Sequence, residues 1–269
     1  MKKYVVLFIG VILVAFIISC VIFMGDHELD LNSEEVSTLY SYLGEVDVYH
    51  CGGLNQYTGE EVTYDDISTS NKLCQAYYAA DKDNIQNEES NTTTTNDQDV
   101  AICEVGDTIR LAALEDENTC SYQTISKDNL NEAYHDVYGT DMPEEENTSF
   151  YIGATEACYL EEGEYYCGNA ETFTWSLRPE ATIYRLLNNA VKRMNGDIVI
   201  TDYYLRISDN KCYSSNNTDS EITACSNALS ENPDTTIDSE FVQEYGTLYE
   251  HTFKKNSNGT NYWYSSNIK

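Results

Sequence analysis

Between Tyr4 and Met24 the chain carries no charged side chain, and this unbroken apolar run divides the sequence more sharply than any other feature. As a helix, rising about 1.5 Å per residue, it would reach about 30 Å, the thickness of a bilayer's hydrocarbon core. Lys2 and Lys3 precede the run, while Asp26, Glu28 and Asp30 follow it. Because basic flanks stay on the cytoplasmic side, the expectation is a single-pass protein of the cell membrane. Residues 1–25 form a cytoplasmic tip and transmembrane signal anchor, and the remainder is extracytoplasmic. A cleaved signal sequence fits less well: its apolar stretch is shorter and ends on small residues, whereas this one ends Phe23-Met24-Gly25.

Ile17-Ile18-Ser19-Cys20 resembles the bacterial lipobox and makes Cys20 a lipidation candidate, but the apolar run continues past it through Val21-Ile22-Phe23-Met24. Eight cysteines remain outside the run: Cys51, Cys74, Cys103, Cys120, Cys158, Cys167, Cys212 and Cys225. An even number in an oxidising compartment reads as a disulfide framework. They fall into four local couples separated by 23, 17, 9 and 13 positions, so each is expected to pair with its neighbour. The clearest couple is Cys158–Cys167, where tyrosine-rich arms flank Glu162-Gly163, a turn signal that sets the two cysteines opposite each other. Zinc is not expected, since there is no CxxC and no histidine in zinc-site spacing.

Charge narrows the function classes further. The chain has 46 acids against 15 bases and a formal charge of -31. Nucleic-acid binding driven by phosphate neutralisation is therefore excluded as an expectation. Thirty-four acids and four bases lie in residues 26–177, and twelve acids and nine bases in residues 178–269. The acidic part should be repelled by an anionic membrane, which argues against an ectodomain lying flat on lipid headgroups.

Periodicity predicts an α+β ectodomain, with helices first and a mainly antiparallel sheet after. Helices are expected at residues 31–43, capped by Asn32, at 70–80, and at 126–138, where Ser126 and Gly139 mark the two ends. Residues 84–99 hold one apolar residue in sixteen and read as a flexible loop. Strands are expected at 150–160, 165–167, 172–177, 198–207, 248–254 and 261–265, the last two joined by a hairpin at 256–260. Residues 179–194 carry two signals. Ile183, Leu186, Leu187, Ala190, Val191 and Met194 make a helical stripe, while Asn195-Gly196 is a hairpin signal; the periodicity count favours helix. The resulting division is a helical acidic part, 26–145, and a strand-rich part, 146–269, that share one domain or pack as two.

No nucleophile-elbow, zinc-protease, P-loop or dinucleotide motif occurs, and no cofactor or metal is implied. Acid pairs such as Glu161/Glu164 and Asp65/Asp66 suit general acid–base work in principle, but so acidic a chain supplies many such pairs by chance. His135 falls on a solvated helix face. His251 alternates with Tyr249 and Phe253, which marks a core or edge histidine. The 23 tyrosines are the excess with a functional slant. Tyr166, Tyr204, Tyr262, Trp263 and Tyr264 are the candidate binding residues, because such rings offer large contact area at low entropic cost. The expectation is a non-catalytic binding or adhesion module of the cell envelope, with a wall glycan or a protein as ligand. The alternatives are an envelope hydrolase using a carboxylate pair and a scaffold for another membrane protein.

Overall fold

The computed structural model describes residues 26–43, 61–96, 100–113, 118–143, 149–153, 155–171, 181–215 and 219–269. The run 4–24, Cys20, Cys51 and the strand expected at 172–177 lie outside those residues. Among the described residues no helix is long and apolar enough to cross a membrane.

Helix α1 (Glu34–Ser41) begins one residue later than the sequence suggests: Ser33 is the cap, its side chain accepting from the Val36 N–H. Asn32 instead closes a local turn with Asp30. Helix α2 (Thr69–Ala79) is capped by Ser68. In α3 (Lys127–Tyr138), Ser126 accepts from the Asn129 N–H and Gly139 ends the helix in the left-handed region. A side chain at Gly139 would also run into the Tyr262 ring, at 2.6 Å, so conformation and packing both require glycine. Two further helices, α4 (Thr223–Glu231) and α5 (Ser239–Tyr245), follow late in the chain.

Among the described residues all strand pairings are antiparallel. The largest sheet, sheet A, has the order β1 (His27–Glu28), β11 (Ala181–Lys192), β12 (Ile198–Ser208), β14 (Thr247–Lys255), β15 (Asn261–Ile268), β2 (Glu61–Thr63), with β13 (Lys211–Tyr213) also on β12. Sheet B runs β3 (Gln86–Asn91), β7 (Thr119–Ser126), β10 (Glu164–Asn169), β9 (Glu156–Glu161), β8 (Phe150–Tyr151). Sheet C is β4 (Thr94–Thr95), β5 (Ala101–Val105), β6 (Ile109–Ala112).

The class is mixed helix and antiparallel sheet, but the expected order of helices first and strands after does not hold. β1 and β2 join sheet A from the N-terminal half, β7 sits inside sheet B, and α4 and α5 come late. The main core draws on both halves: Val36, Leu73 and Tyr134 from α1–α3 pack with Ile198, Ile200, Phe253 and Trp263 of sheet A and with Ile125, Phe150 and Tyr165 of sheet B.

Two segments correct the sequence reading. Residues 181–192 form a strand, not a helix. Its apolar side chains divide between two buried clusters, Leu187 and Ala190 to the main core and Tyr184 and Leu186 to the cluster under α4 and α5. A bulge between Leu187 and Asn189 shifts the phase. A bulged strand that packs apolar residues on both faces loses its two-residue alternation, and the remainder imitates a helical stripe. The second correction is residues 84–99, which are not a free loop over their described length. Gln86–Asn91 pairs along β7 at six positions. As an edge strand it gains its order from the backbone ladder, and its exposed Glu88 and Glu89 discourage a further strand from adding there.

Three of the expected disulfides are formed, and each lies in a different buried cluster. Cys158–Cys167 sits in the main core, its Cα atoms 4.0 Å apart across β9 and β10. The intervening turn has positive φ at both Glu162 and Gly163, as a type I′ hairpin requires. Cys103–Cys120 links β5 to β7 between sheets C and B. Cys212–Cys225 ties β13 to α4. The Cys51–Cys74 pairing falls outside the described residues because Cys51 does. The cluster between sheets B and C has few large side chains that are fully buried, its tyrosines being only half-buried, so its cross-link carries much of its stability. Replacing Cys103 and Cys120 by alanine should cost about 3 kcal/mol in urea unfolding, the loop-closure value for a loop of this size. An unchanged midpoint would contradict that role.

Candidate functional site

Among the described residues, two places bring chemically capable side chains together: a charged seam sealed inside sheet A and an open groove on sheet B. The seam follows from strand alternation. Asp202 lies on the same face of β12 as Ile198 and Ile200, both buried in the main core. On β14, His251 lies between Tyr249 and Phe253 on the same face, and the register sets Ser266 of β15 opposite His251. Arg185 of β11 pairs with Tyr204, next along from Asp202.

These side chains form one continuous chain of hydrogen bonds. The Trp263 indole N–H donates to Ser266 Oγ at 2.9 Å. The Ser266 hydroxyl is thereby free to donate to His251 Nδ1, 2.7 Å away. That assigns the remaining ring proton to Nε2, which donates to Asp202 Oδ1 at 2.9 Å. Asp202 Oδ2 accepts from the Tyr40 hydroxyl at 2.9 Å and from Arg185 Nε at 2.5 Å, and Arg185 Nη2 completes the ion pair. Asp202 and His251 are fully buried.

Burial by itself would raise the Asp202 carboxyl, but Arg185, His251 and the Tyr40 hydroxyl outweigh it and hold the group well below the usual carboxylate range. Burial, reinforced by Arg185, outweighs the pull of Asp202 and keeps His251 below its ordinary value, in the neutral form. Burial also pushes the adjacent Tyr249 phenol up to about 12. The seam is thus an ionised Asp–Arg pair beside a neutral histidine.

Serine, histidine and aspartate linked in this order are the parts of a hydrolytic triad. Here the hydroxyl points inward, is occupied by Trp263 and is 1 % exposed, so no substrate reaches it as folded. The arrangement satisfies buried charge and fixes the register of four strands. The sequence held a signal for it: Asp202 and His251 each stand at a period-two position between apolar residues that proved to be core.

The aromatic candidates are not assembled into one surface. Tyr204 and Trp263 are 1 % exposed and form part of the interior. Tyr262 is half-buried against Gly139, and Tyr166 is half-buried on sheet B beside Tyr122. Tyr264 is exposed, with Lys254 Nζ 3.1 Å above its ring. One member of each acid pair has structural partners. Glu161 accepts from the Asp107 N–H at 2.6 Å and the Thr108 hydroxyl at 2.5 Å, and Asp66 accepts from the Thr63 N–H and hydroxyl at 2.8 Å each. These bonds hold both carboxyls below their ordinary range, the opposite of what a general acid needs.

The groove is a shallow cavity of about 510 Å³ on one face of sheet B. The register sets Asn87 opposite Gln123, Glu89 opposite Ser121 and Cys167 opposite both Gln123 and Cys158, so the lining alternates out of three neighbouring strands. Glu156 of β9 closes one side. Gln123 is held from two directions: its carbonyl accepts from the Tyr77 hydroxyl, and its amide donates to Asn87 Oδ1 at 3.0 Å. Burial, with Glu156 nearby, pushes the Tyr77 phenol up to about 12 and keeps it a donor. None of the aromatic candidates lines the groove. One side of it comes from the polar segment 84–99, whose lack of apolar residues concealed a strand.

Among the described residues, no three His, Cys, Asp or Glu side chains converge as metal ligands would. Compared with protein-family models, with characterised proteins and with solved structures, the chain matches none.

Proposed function

We propose that this protein is a membrane-tethered, extracytoplasmic binding module that holds a hydroxyl- and amine-bearing envelope glycan in the groove of sheet B. The observation that carries this reading is the contrast between the two places described above. The array with catalytic residue types is sealed, while the open cavity is lined by carboxamides, a serine hydroxyl and the carboxylates Glu89 and Glu156. Amides and hydroxyls both donate to and accept from sugar hydroxyls. The carboxylates favour a protonated amine and, with the chain's charge of -31, disfavour phosphate-bearing polymers. The uncharged run 4–24 and the buried disulfides support an anchored protein in an oxidising compartment.

The full chain, reconstituted in lipid nanodiscs, should be retained on an amino-sugar polymer with free amines more strongly than on its N-acetylated form. Glu156→Gln and Glu89→Gln should each weaken retention about tenfold, the effect of losing one charged hydrogen bond. Retention on no glycan, or retention untouched by both substitutions, would overturn the reading.

A further inference from the structure

The described chain joins the fold at a particular end of sheet A. β1 begins at His27, three residues after Met24 closes the apolar run, and pairs with the last residues of β11, His27 opposite Lys192. Asp26 Oδ1 accepts from the Met194 N–H at 3.1 Å, which fixes the tip of the β11–β12 hairpin beside the start of the fold. Ile198 pairs with Phe253, so the β14–β15 turn and Lys254 and Lys255 lie at this same end. Met194, at the hairpin tip, is 69 % exposed, the most exposed of the large apolar side chains described.

Charge separates this end from the rest of the molecule. It carries Lys192, Arg193, Lys254 and Lys255, four of the chain's 15 bases. The acids around them are Asp26, Glu28, Asp197, Glu35 and Glu250, with Glu28 on β1 opposite Val191. Glu35 pairs with Lys192, Glu250 pairs with Arg193, Asp26 accepts from Met194, and Asp197 accepts from Asn195. In a chain of net charge -31 this end is close to balanced, five acids against four bases, and the Lys254 and Lys255 ammonium groups have no carboxylate partner within salt-bridge distance among the described residues, Lys254 lying over the Tyr264 ring.

Two residues of chain beyond Met24 reach at most about 7 Å. The headgroup layer on each side of the hydrocarbon core is about 5–7 Å thick. With residues 4–24 across the bilayer, Asp26 is therefore at headgroup depth, and so is the hairpin tip bonded to it.

We infer that this end of sheet A is a lipid-binding surface: Met194 enters the boundary between headgroups and acyl chains, and Lys254 and Lys255 bind lipid phosphates. The ectodomain is thereby held in a fixed orientation and does not swing on its tether. The inference rests on the tether of the proposed function and deepens it.

The full chain in nanodiscs of phosphatidylglycerol and phosphatidylethanolamine tests it. A photo-crosslinking p-benzoylphenylalanine is placed at Met194 or, as the comparison, at Lys211. Lys211 lies at the opposite end of the 11-residue β12, about 33 Å away at the usual rise per residue. Lipid adducts should form at position 194 at least tenfold more than at 211, and Lys254→Glu with Lys255→Glu should reduce them several-fold. Equal or absent adducts at 194, with the chain still in the disc at alkaline pH, would overturn the surface and leave the tether standing. Release of the chain from the disc at alkaline pH would overturn the tether, and this surface with it.

Discussion

Asp202→Ala should lower the unfolding free energy by about 3–5 kcal/mol, because it leaves the Arg185 guanidinium buried and without its counter-charge. That is a large part of the roughly 5–15 kcal/mol by which a protein of this kind is stable. Urea unfolding at neutral pH measures it. Replacing both partners, Arg185→Leu with Asp202→Leu, should recover much of the loss, since a neutral pair leaves no buried charge exposed to an apolar setting. A single Asp202→Ala substitution that costs no more than Tyr40→Phe would refute the seam as a keystone.

The same seam sets the direction of the pH dependence. His251 in the folded state lies below its ordinary value of 6.5, so the unfolded chain takes up a proton near that pH while the folded chain does not. The histidine's contribution is therefore full above pH 6.5 and is lost as pH falls below it. Asp202 is also depressed, below 3.8, so its contribution is present above pH 3.8 and lost on further acidification. Both groups make the fold acid-sensitive, in two successive windows.

Trp263→Ala should cost about 3–5 kcal/mol for a different reason, the cavity left by a large ring. Trp263 is 1 % exposed and packs edge-on to Tyr138 at 6.1 Å between centroids. Trp263→Phe, which keeps most of the ring volume and removes only the N–H given to Ser266, should cost about 1–2 kcal/mol. Thermal unfolding followed by circular dichroism separates the two. Equal losses would show that the hydrogen bond, and not the packing, holds this part of sheet A.

What could be read from the chain was what is written locally. The helix at 127–138 was legible from Ser126 and Gly139, because caps satisfy backbone groups a few residues away. The Cys158–Cys167 hairpin was legible from two arms and a Glu-Gly turn for the same reason. β11 was not, because its apolar residues serve two different cores and only the partner strands show which serves which. β3 was not, because an edge strand needs a neighbour's backbone more than apolar side chains of its own.

The site was the least legible part. Arg185, Asp202, His251 and Ser266 are spread over some eighty positions and meet only through the register of four strands. Their alternation with core residues marked Asp202 and His251 as buried, but not as partners. The tyrosine excess pointed to recognition, yet Tyr204 shares the buried face of β12 with Asp202, and Trp263 is a member of the seam itself.

The most direct measurement compares Ser266→Ala with Glu156→Gln on the same free-amine glycan, following both retention and the release of new reducing ends. The account predicts that Glu156→Gln weakens retention about tenfold, that Ser266→Ala leaves it unchanged, and that neither protein nor variant releases product. Glycan cleavage by the wild-type chain that disappears in Ser266→Ala would contradict it, and would mean that the sealed seam opens to do chemistry.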